Sequence, residues 1–501
     1  MSLIERPVSF GSAATLLADG NPEGLALVCD GPQDLTTVSW LALEQRANRL
    51  ARALMSEGVV AGDFVTLALP NGVDYFCTCL ALWKLGAVPN PVSHRLPVIE
   101  RDGIIDRADP RLVVADTALD IPGRRSVTPA IADAIANSEP LPEVVSPYER
   151  AMASGGSTGL PKLIVASNEA RYDPDSASPL FRGKRAVLVP GPLYHGAPFS
   201  AAWQGLFAGC TVVVMHRFDA LRMLQLIESY QVDRMTVVPT MMQRVWRLPQ
   251  AQRESYDVSS LEFVLTGSAP CPPWLMRAWI EWLGADVMHE AFGPSERLGG
   301  TFITGREWLQ HPGSVGKPAA GARMRILGED GVELPPGEMG EIYIMPAQGP
   351  GSTSFYVGAE PKLTPDGWQS VGDMGYMDDD GYVYLGDRRS DLVLVGGRNV
   401  YPAEVEAAID AFHGVRSCAV IGLPDDDLGE RLHAIVDVGE EAVTLNEEKL
   451  RAHLEQRLVH YKVPLSFELV TTLLRDDAGK LRRSALRRER LDGTLGADGH
   501  S

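Results

Sequence analysis

The sequence predicts an α/β protein of more than one domain, a large N-terminal body followed by a small α+β module. Three observations carry this. At 501 residues the chain exceeds what one compact core needs. Strand-like and helix-like segments alternate through its first half, the order of parallel α/β units. Its strand candidates, such as FVTLALP and TVVVMH, are nearly continuous apolar runs, as expected where both faces of a sheet are covered.

Taken in order, Ser39 can cap a helix whose apolar positions are Leu43, Ala47, Leu50, Ala51 and Leu54, with arginines on the other face. FVTLALP (64–70) reads as a strand ending in a turn, residues 75–85 as a second helix, and AVPNPV as the next strand. The unit recurs in RAVLVPGPL, TVVVMH, a helix ending at Tyr230, and DRMTVVPT; LEFVLTGSAP is a strand running into a glycine turn. After Gly313 the texture changes. MRILGEDGVELPPGEMGEIYIM reads as two strands around a Gly/Pro turn and DGYVYLG as a further short one, together a β-rich subdomain. GDRRSD (386–391) is polar with little to bury, which predicts a domain boundary and hinge. Beyond it Pro402 suits the first position of a helix over AEVEAAIDAF. CAVIGL and HAIVDV read as strands separated by the turn PDDDLGE, and Thr444 with Glu447 as a capping box for a helix to about Leu458. The last residues, GTLGADGHS, read as frayed.

Composition narrows the function. A formal net charge of −19 repels polyanions, so neither nucleic acid nor an anionic membrane is an expected partner. The six cysteines are scattered without CxxC spacing, which predicts small buried apolar residues and no zinc or disulfide framework. MSLIERPVSF has no basic-then-apolar signal pattern and no apolar run reaches membrane-spanning length, so a cytoplasmic protein is expected.

Four short motifs carry chemistry. Ser154-Gly155-Gly156-Ser157-Thr158-Gly159-Leu160-Pro161-Lys162 offers backbone amides, hydroxyls and a cation, which is what a polyphosphate needs. It is not a GxxxxGK[ST] loop, and on composition alone it reads equally as a flexible surface loop. Phe292-Gly293-Pro294-Ser295-Glu296 joins a flat ring to a carboxylate able to hold magnesium, although a lone turn glutamate is usually just solvated. Gly372-Asp373 puts a carboxylate on a turn, where it could accept from a ribose diol. Gly479-Lys480 puts a cation on a glycine turn, an arrangement that is by itself commonplace.

In this order the segments resemble the adenylate-forming superfamily of acyl-CoA synthetases, luciferases and peptide-synthetase adenylation domains. SGGSTGLPK resembles its phosphate loop, FGPSE its aromatic-Gly-x-Thr/Ser-Glu motif, GWQSVGD its GW-x-x-TGD, and GDRRSDLVLVGGRNVYPAEVE its hinge and following loop. GLPDDDLGE, YKVP and DDAGKLRR resemble its C-terminal motifs, and the likeness runs from about Ser39 to Arg488. GPLYHGAPFSAAWQGLFAG, HPGSVGKP, QSVGDMGYMDDDGYVYLGDRRSD and RLHAIVDVG further resemble bacterial bile-acid and steroid-acid CoA ligases.

The resemblance implies an N-terminal AMP-binding domain (1–386) of two packed α/β sheets plus the β-rich subdomain, a hinge (387–390), and a small mobile C-terminal lid (391–501). It implies ATP and Mg²⁺ as cofactors and CoA as acceptor. Residues Ser154, Gly155, Gly156, Ser157, Thr158, Gly159 and Lys162 would hold the β- and γ-phosphates, and Glu296, with Thr158, would hold Mg²⁺. Gly267, Ser268, Ala269 and Pro270 would sandwich adenine against Phe292, with Gly293 and Ser295 completing that motif. Asp373 and Arg388 would grip the ribose, and Lys480 would bridge the substrate carboxylate and the α-phosphate. His195 would gate the acyl pocket, and Gly396 and Gly397 would later line the pantetheine path after the lid rotates. Five departures from the family pattern are Phe292 for tyrosine, Ser295 for threonine, Ser390 at the hinge, Asp476 for threonine, and Met152-Ala153 for the aromatic-threonine lead-in. The tail arginines (Arg482, Arg483, Arg487, Arg488, Arg490) read as a solvated helix face or as contacts to CoA phosphates.

Gly196, Ala197, Gly299 and Gly300, small residues near these motifs, predict room for a bulky ring-bearing acid such as a steroid side-chain acid or an arylalkanoate. The expected partners are that acid, ATP and CoA; a homodimer is allowed, and no membrane insertion is expected. The rival readings are an adenylation enzyme loading a carrier protein, a non-catalytic nucleotide-binding protein on the same fold, and a luciferase-type oxygenase.

Overall fold

The computed structural model describes residues 4–32, 34–153, 162–175, 181, 183–386, 391–396, 398–425, 427–438, 446–476 and 479–491. The body is built on two parallel sheets. The larger has nine strands, six of them parallel (Leu25–Asp30, Thr211–Met215, Ala186–Val189, Arg234–Val237, Phe263–Gly267 and Met288–Phe292, in spatial order). The smaller has four parallel strands, Val88–Pro91, Phe64–Ala68, Leu112–Ala115 and Ser126–Val127.

A layer of helices fills the space between the sheets. Trp40–Ser56 starts where the Ser39 hydroxyl accepts from the amide of Ala42, as the sequence predicts. Its stripe of Leu43, Ala47, Leu50, Ala51 and Leu54 is buried. The helix Val73–Leu85 is apolar nearly all round because it is covered on every side. One core therefore holds Val65 and Leu67 of the small sheet, Val187 and Val212 of the large one, and Trp83, Phe199 and Trp203 between them. The far face of the large sheet makes a second core, with Met235 and Val264 packed against Met223, Met242, Leu275 and Trp279.

Glu290 projects from the strand Met288–Phe292 and is 3% exposed. Burial pushes its carboxyl up from 4.5 to about 8, so it is neutral in the fold at pH 7. Between about pH 4.5 and 8 the native chain holds a proton there that the unfolded chain has lost, so stability falls as pH rises through that window. Glu290→Gln cannot ionise. Its Tm is expected to gain on the wild type steadily from pH 5 to pH 8; a difference independent of pH would contradict this.

The β-rich subdomain pairs Arg323–Leu327 with Gly340–Met345 around the expected Gly/Pro turn, and Gln369–Met377 and Val383–Leu385 extend it. The C-terminal module is a five-stranded sheet with its own core, in which Val400, Val405, Ile409, Val420, Leu432 and Leu454 meet. Pro402 opens the helix Pro402–Asp410. Two expectations are corrected here. PDDDLGE is not one long turn, because Pro424 pairs with Glu430 and Asp425 with Gly429, so the strands Ser417–Asp425 and Gly429–Asp437 meet in a tight hairpin. The second helix, Glu447–Glu455, is capped by Asn446, whose side chain accepts from the amide of Lys449 at 3.0 Å, and Glu447 is its first residue. Thr444 lies outside the described residues.

All six cysteines are free; Cys29, Cys77, Cys79, Cys210 and Cys418 are buried, and Cys271 is half-buried. Among the described residues no helix is long and apolar enough to cross a membrane.

Candidate active site

His195, Gly267 and Phe292 lie near where the parallel strands of the large sheet end, and the C-terminal module brings Lys480 to the same side. Gly267 and Phe292 are the last residues of neighbouring parallel strands, with Gly267 in register with Ala291. A Cβ at Gly267 would strike the Ala291 carbonyl oxygen, so only glycine permits this approach. Ser268 follows at φ 67°, which turns the chain sharply away and leaves an opening at the carboxyl ends of the strands, the usual binding place in open α/β sheets.

Glu296 lies in the turn beyond Phe292 and is 4% exposed. Its Oε1 receives the Lys162 ammonium at 3.1 Å and the Tyr356 hydroxyl at 2.6 Å. The same ammonium sits 3.8 Å above the Tyr356 ring. The hydroxyls of Thr353 and Ser354 donate to the Glu296 carbonyl, fixing the backbone as well. Lys162 immediately precedes the strand Leu163–Ala166, which pairs antiparallel with Ala151–Ala153. Ser154, Gly155, Gly156, Ser157, Thr158 and Gly159 lie outside the described residues.

A second carboxylate braces this region. Glu149 receives Arg297 at 2.6 Å and Arg150 at 2.5 Å. Burial alone would raise its pKa, but the two guanidiniums hold it at about 2. Arg150 also reaches Ser200 on the helix Gly196–Phe207, so one ion cluster centred on buried Glu149 ties together the start of the strand Ala151–Ala153, the turn after Glu296 and the helix behind His195.

Asp373 sits on a bulge. The strands pair Glu341 with Met374 and Tyr343 with Ser370, which leaves extra residues around Gly372 and Asp373, and Gly372 adopts φ 87°. A bulge re-aims a side chain that a regular ladder would place across the sheet. Arg388, its expected companion, lies outside the described residues, as does Ser390.

His195 precedes the first turn of Gly196–Phe207, its ring 4.7 Å from that of Tyr194. Burial first, and then the nearby Lys480 ammonium, lower its pKa to about 3. His195 is therefore a neutral imidazole throughout the physiological range. Lys480 comes to it on a tight turn of the lid: its amide donates to Asp476 Oδ1 at 2.9 Å, and the Gly479 amide donates to the Asp476 carbonyl. Gly479 has φ 75°, and a Cβ there would lie 2.5 Å from Thr240 Oγ1 of the body. Asp476 lines a cleft with Arg217, Thr240 and Arg244, and Arg247 donates to the Arg416 carbonyl at 2.6 Å and to that of Val415. The C-terminal module thus packs on the body with Lys480 within electrostatic reach of His195.

Gly396 is not brought to this place. It has φ 57° and lines a groove with Leu428, Leu432, Tyr461 and Val463, all residues of the C-terminal module; Gly397 lies outside the described residues. Arg483 binds Asp391 and Glu406, Arg487 binds Glu430, and Arg490 binds Glu468, so these tail arginines stitch their helix to the lid. Gly299 and Gly300 are small for the backbone's sake: Gly299 has φ 112°, and a Cβ on Gly300 would overlap the Phe292 carbonyl. Gly196, in contrast, has nothing nearer its Cβ direction than Arg150 at 3.9 Å. Sequence reasoning missed Tyr356 and Glu149. Neither stands in a motif, and the contacts that bring them to the site, Glu296 for Tyr356 and Arg297 for Glu149, are remote in the chain.

A large α/β body with a smaller C-terminal module packed near its strand ends is the arrangement of the adenylate-forming fold. The AMP-binding enzyme family profile matches residues 17–357 and the AMP-binding enzyme C-terminal domain profile residues 404–480. The feruloyl-CoA synthase of Amycolatopsis sp is 33% identical over 90% of this chain and 94% of its own. A 3-[(3aS,4S,7aS)-7a-methyl-1,5-dioxo-octahydro-1H-inden-4-yl]propanoyl:CoA ligase of Rhodococcus jostii is 30% identical, covering 97% of this chain and all of its own. The ATP-bound crystal structure of MatB from Rhodopseudomonas palustris superposes with a TM-score of 0.78 at 26% identity, covering 96% of this chain and 99% of that one. The chain belongs to the AMP-binding enzyme family, and it is an AMP-forming acid–thiol ligase.

Proposed function

We propose that this enzyme adenylates a hydrophobic, ring-bearing carboxylic acid with ATP and passes the acyl group to CoA. The observation that supports the reading is Lys480 on the C-terminal module, within electrostatic reach of His195 at the strand ends. A carboxylate attacking the α-phosphate is one anion approaching another, and the Lys480 ammonium lowers that barrier by neutralising the charge that gathers between them. The neutral His195 adds no second positive charge; it walls the acyl side and leaves the electrostatics to Lys480. Phe292 and the Gly267–Ala269 turn would hold adenine, with Gly293 and Ser295 shaping the bend to Glu296, and Asp373 with Arg388 would hold the ribose. Residues 154–159 and Lys162 would hold the outer phosphates.

Glu296 fits Mg²⁺. It is a buried hard-oxygen donor, and among the described residues its two side-chain contacts both fall on Oε1. With Thr158, Glu296 would hold the ion, which when bound supplies positive charge to the phosphates. Lys162, now paired with Glu296, would pair with an outer phosphate. For the thiol step Lys480 must leave, and Gly396 and Gly397 would enter to line the thin pantetheine arm.

The names of two relatives, a feruloyl-CoA synthase and a bicyclic-propanoyl:CoA ligase, support CoA as acceptor and a ring in the acid. Gly196 supports space beside the gate; Gly299 and Gly300 add nothing to it. The test is pyrophosphate release over a panel of steroid-acid, arylalkanoic, linear and short acids, followed by acyl transfer to CoA or to a carrier protein. Ring-bearing acids are expected to exceed acetate in kcat/KM by about 10²-fold or more, because acetate would leave apolar space unfilled. Acetate as the best substrate would refute the acid; transfer to the carrier protein alone would refute CoA.

A further inference from the structure

One ion pair crosses from body to lid within two residues of Lys480. Arg482 Nη1 lies 2.7 Å from Glu100 Oε2, on the first turn of the helix Val98–Ala108. We propose that Glu100 and Arg482 are a positioning pair that sets Lys480 for acyl-adenylate formation. This rests on the role given to Lys480 above.

The backbone makes the linkage stiff. Leu481 bridges to Arg475, so the segment around it is extended, and alternate side chains of an extended segment point to the same side. Lys480 and Arg482 therefore reach toward the body together. The Arg482 carbonyl accepts from the amides of Ala485 at 3.0 Å and Leu486 at 3.1 Å, which anchors the segment to the helix Arg483–Leu491. Whatever holds the Arg482 side chain thus sets the height and tilt of Lys480. Arg483, Arg487 and Arg490 bind carboxylates of their own module, whereas Arg482 is directed across the junction. It also lies within electrostatic reach of Tyr194, the neighbour of His195.

The pair is a poor stabiliser of the fold, with side chains 53% and 26% exposed. Its use is orientation. Arg247 grips the carbonyls of Val415 and Arg416 elsewhere on the interface, so losing the Glu100 contact does not free the whole lid; it loosens the end that carries Lys480.

Charge reversal tests this with two assays: pyrophosphate release with acid and ATP, and thioester formation from supplied acyl-adenylate and CoA. Glu100→Arg and Arg482→Glu each put like charges together, and each is expected to lower kcat for pyrophosphate release about tenfold. The double reversal, Glu100→Arg with Arg482→Glu, is expected to return within about twofold of wild type. Thioester formation is expected to stay within about twofold in all three variants. The proposal is overturned if Glu100→Arg releases pyrophosphate at the wild-type rate or if the double reversal fails to rescue. It is also overturned if Arg482→Glu raises KM for CoA, which would make Arg482 a contact of the thiol substrate. A wild-type enzyme that releases no pyrophosphate with any acid would instead refute the role of Lys480 itself.

Discussion

Lys480→Ala is expected to lower acyl-adenylate formation by about 10²- to 10³-fold, the usual cost of removing one preorganised group that meets developing charge. The loss should appear in kcat and not in KM for ATP, because the lysine acts where charge gathers while the body holds the nucleotide. Thioester formation from supplied acyl-adenylate should remain near the wild-type rate, since no anion then needs neutralising at the α-phosphate. The turn itself should survive: Asp476 binds the Lys480 amide, and Gly479 supplies the positive φ and the close approach to Thr240. The alanine variant thus separates chemistry from folding. An equal fall in both half-reactions would contradict the assignment.

Glu296→Gln is expected to lower adenylation by about 10²-fold at low Mg²⁺, and the rate should recover in part as Mg²⁺ is raised. Glutamine keeps the shape and can still accept from Tyr356, so the change isolates charge from packing. Glu296→Ala should be worse for the fold, because the half-buried Tyr356 hydroxyl and the Lys162 ammonium would lose their shared acceptor. The two substitutions predict an order: alanine lowers Tm more than glutamine, while both lose activity. A glutamine variant that matches wild type at low Mg²⁺ would contradict the role of Glu296.

Much of this was legible from local pattern. The buried strands and the helix Trp40–Ser56 follow from apolar spacing, and the lysine turn follows from Gly479. What was not legible depended on contacts between distant residues or on features that spacing does not carry. Tyr356 reads as one residue of an ordinary strand, and its value lies in a carboxylate sixty residues earlier. Glu149 is an unremarkable acid until Arg297 arrives from another element. The hairpin around 424–430 was read as a turn because charged residues fill it, yet a strand needs apolar residues only where it is buried. Thr444 and Glu447 satisfied the spacing of a capping box, but Asn446 stood nearer the apolar stripe and took the cap. Gly299 and Gly300 looked like pocket space, while φ and the Phe292 carbonyl account for them. Small size in a sequence does not say which neighbour demands it.

The central claim is that a lid-borne lysine lets a carboxylate displace pyrophosphate from ATP. The most direct test is a single turnover with a matched ring-bearing acid, ATP and Mg²⁺, without CoA, in which the nucleotide products are resolved. The account predicts an enzyme-bound acyl-adenylate with one pyrophosphate released per chain, and AMP only after a thiol is added. ADP and phosphate as products, or no nucleotide turnover with any acid, would contradict it.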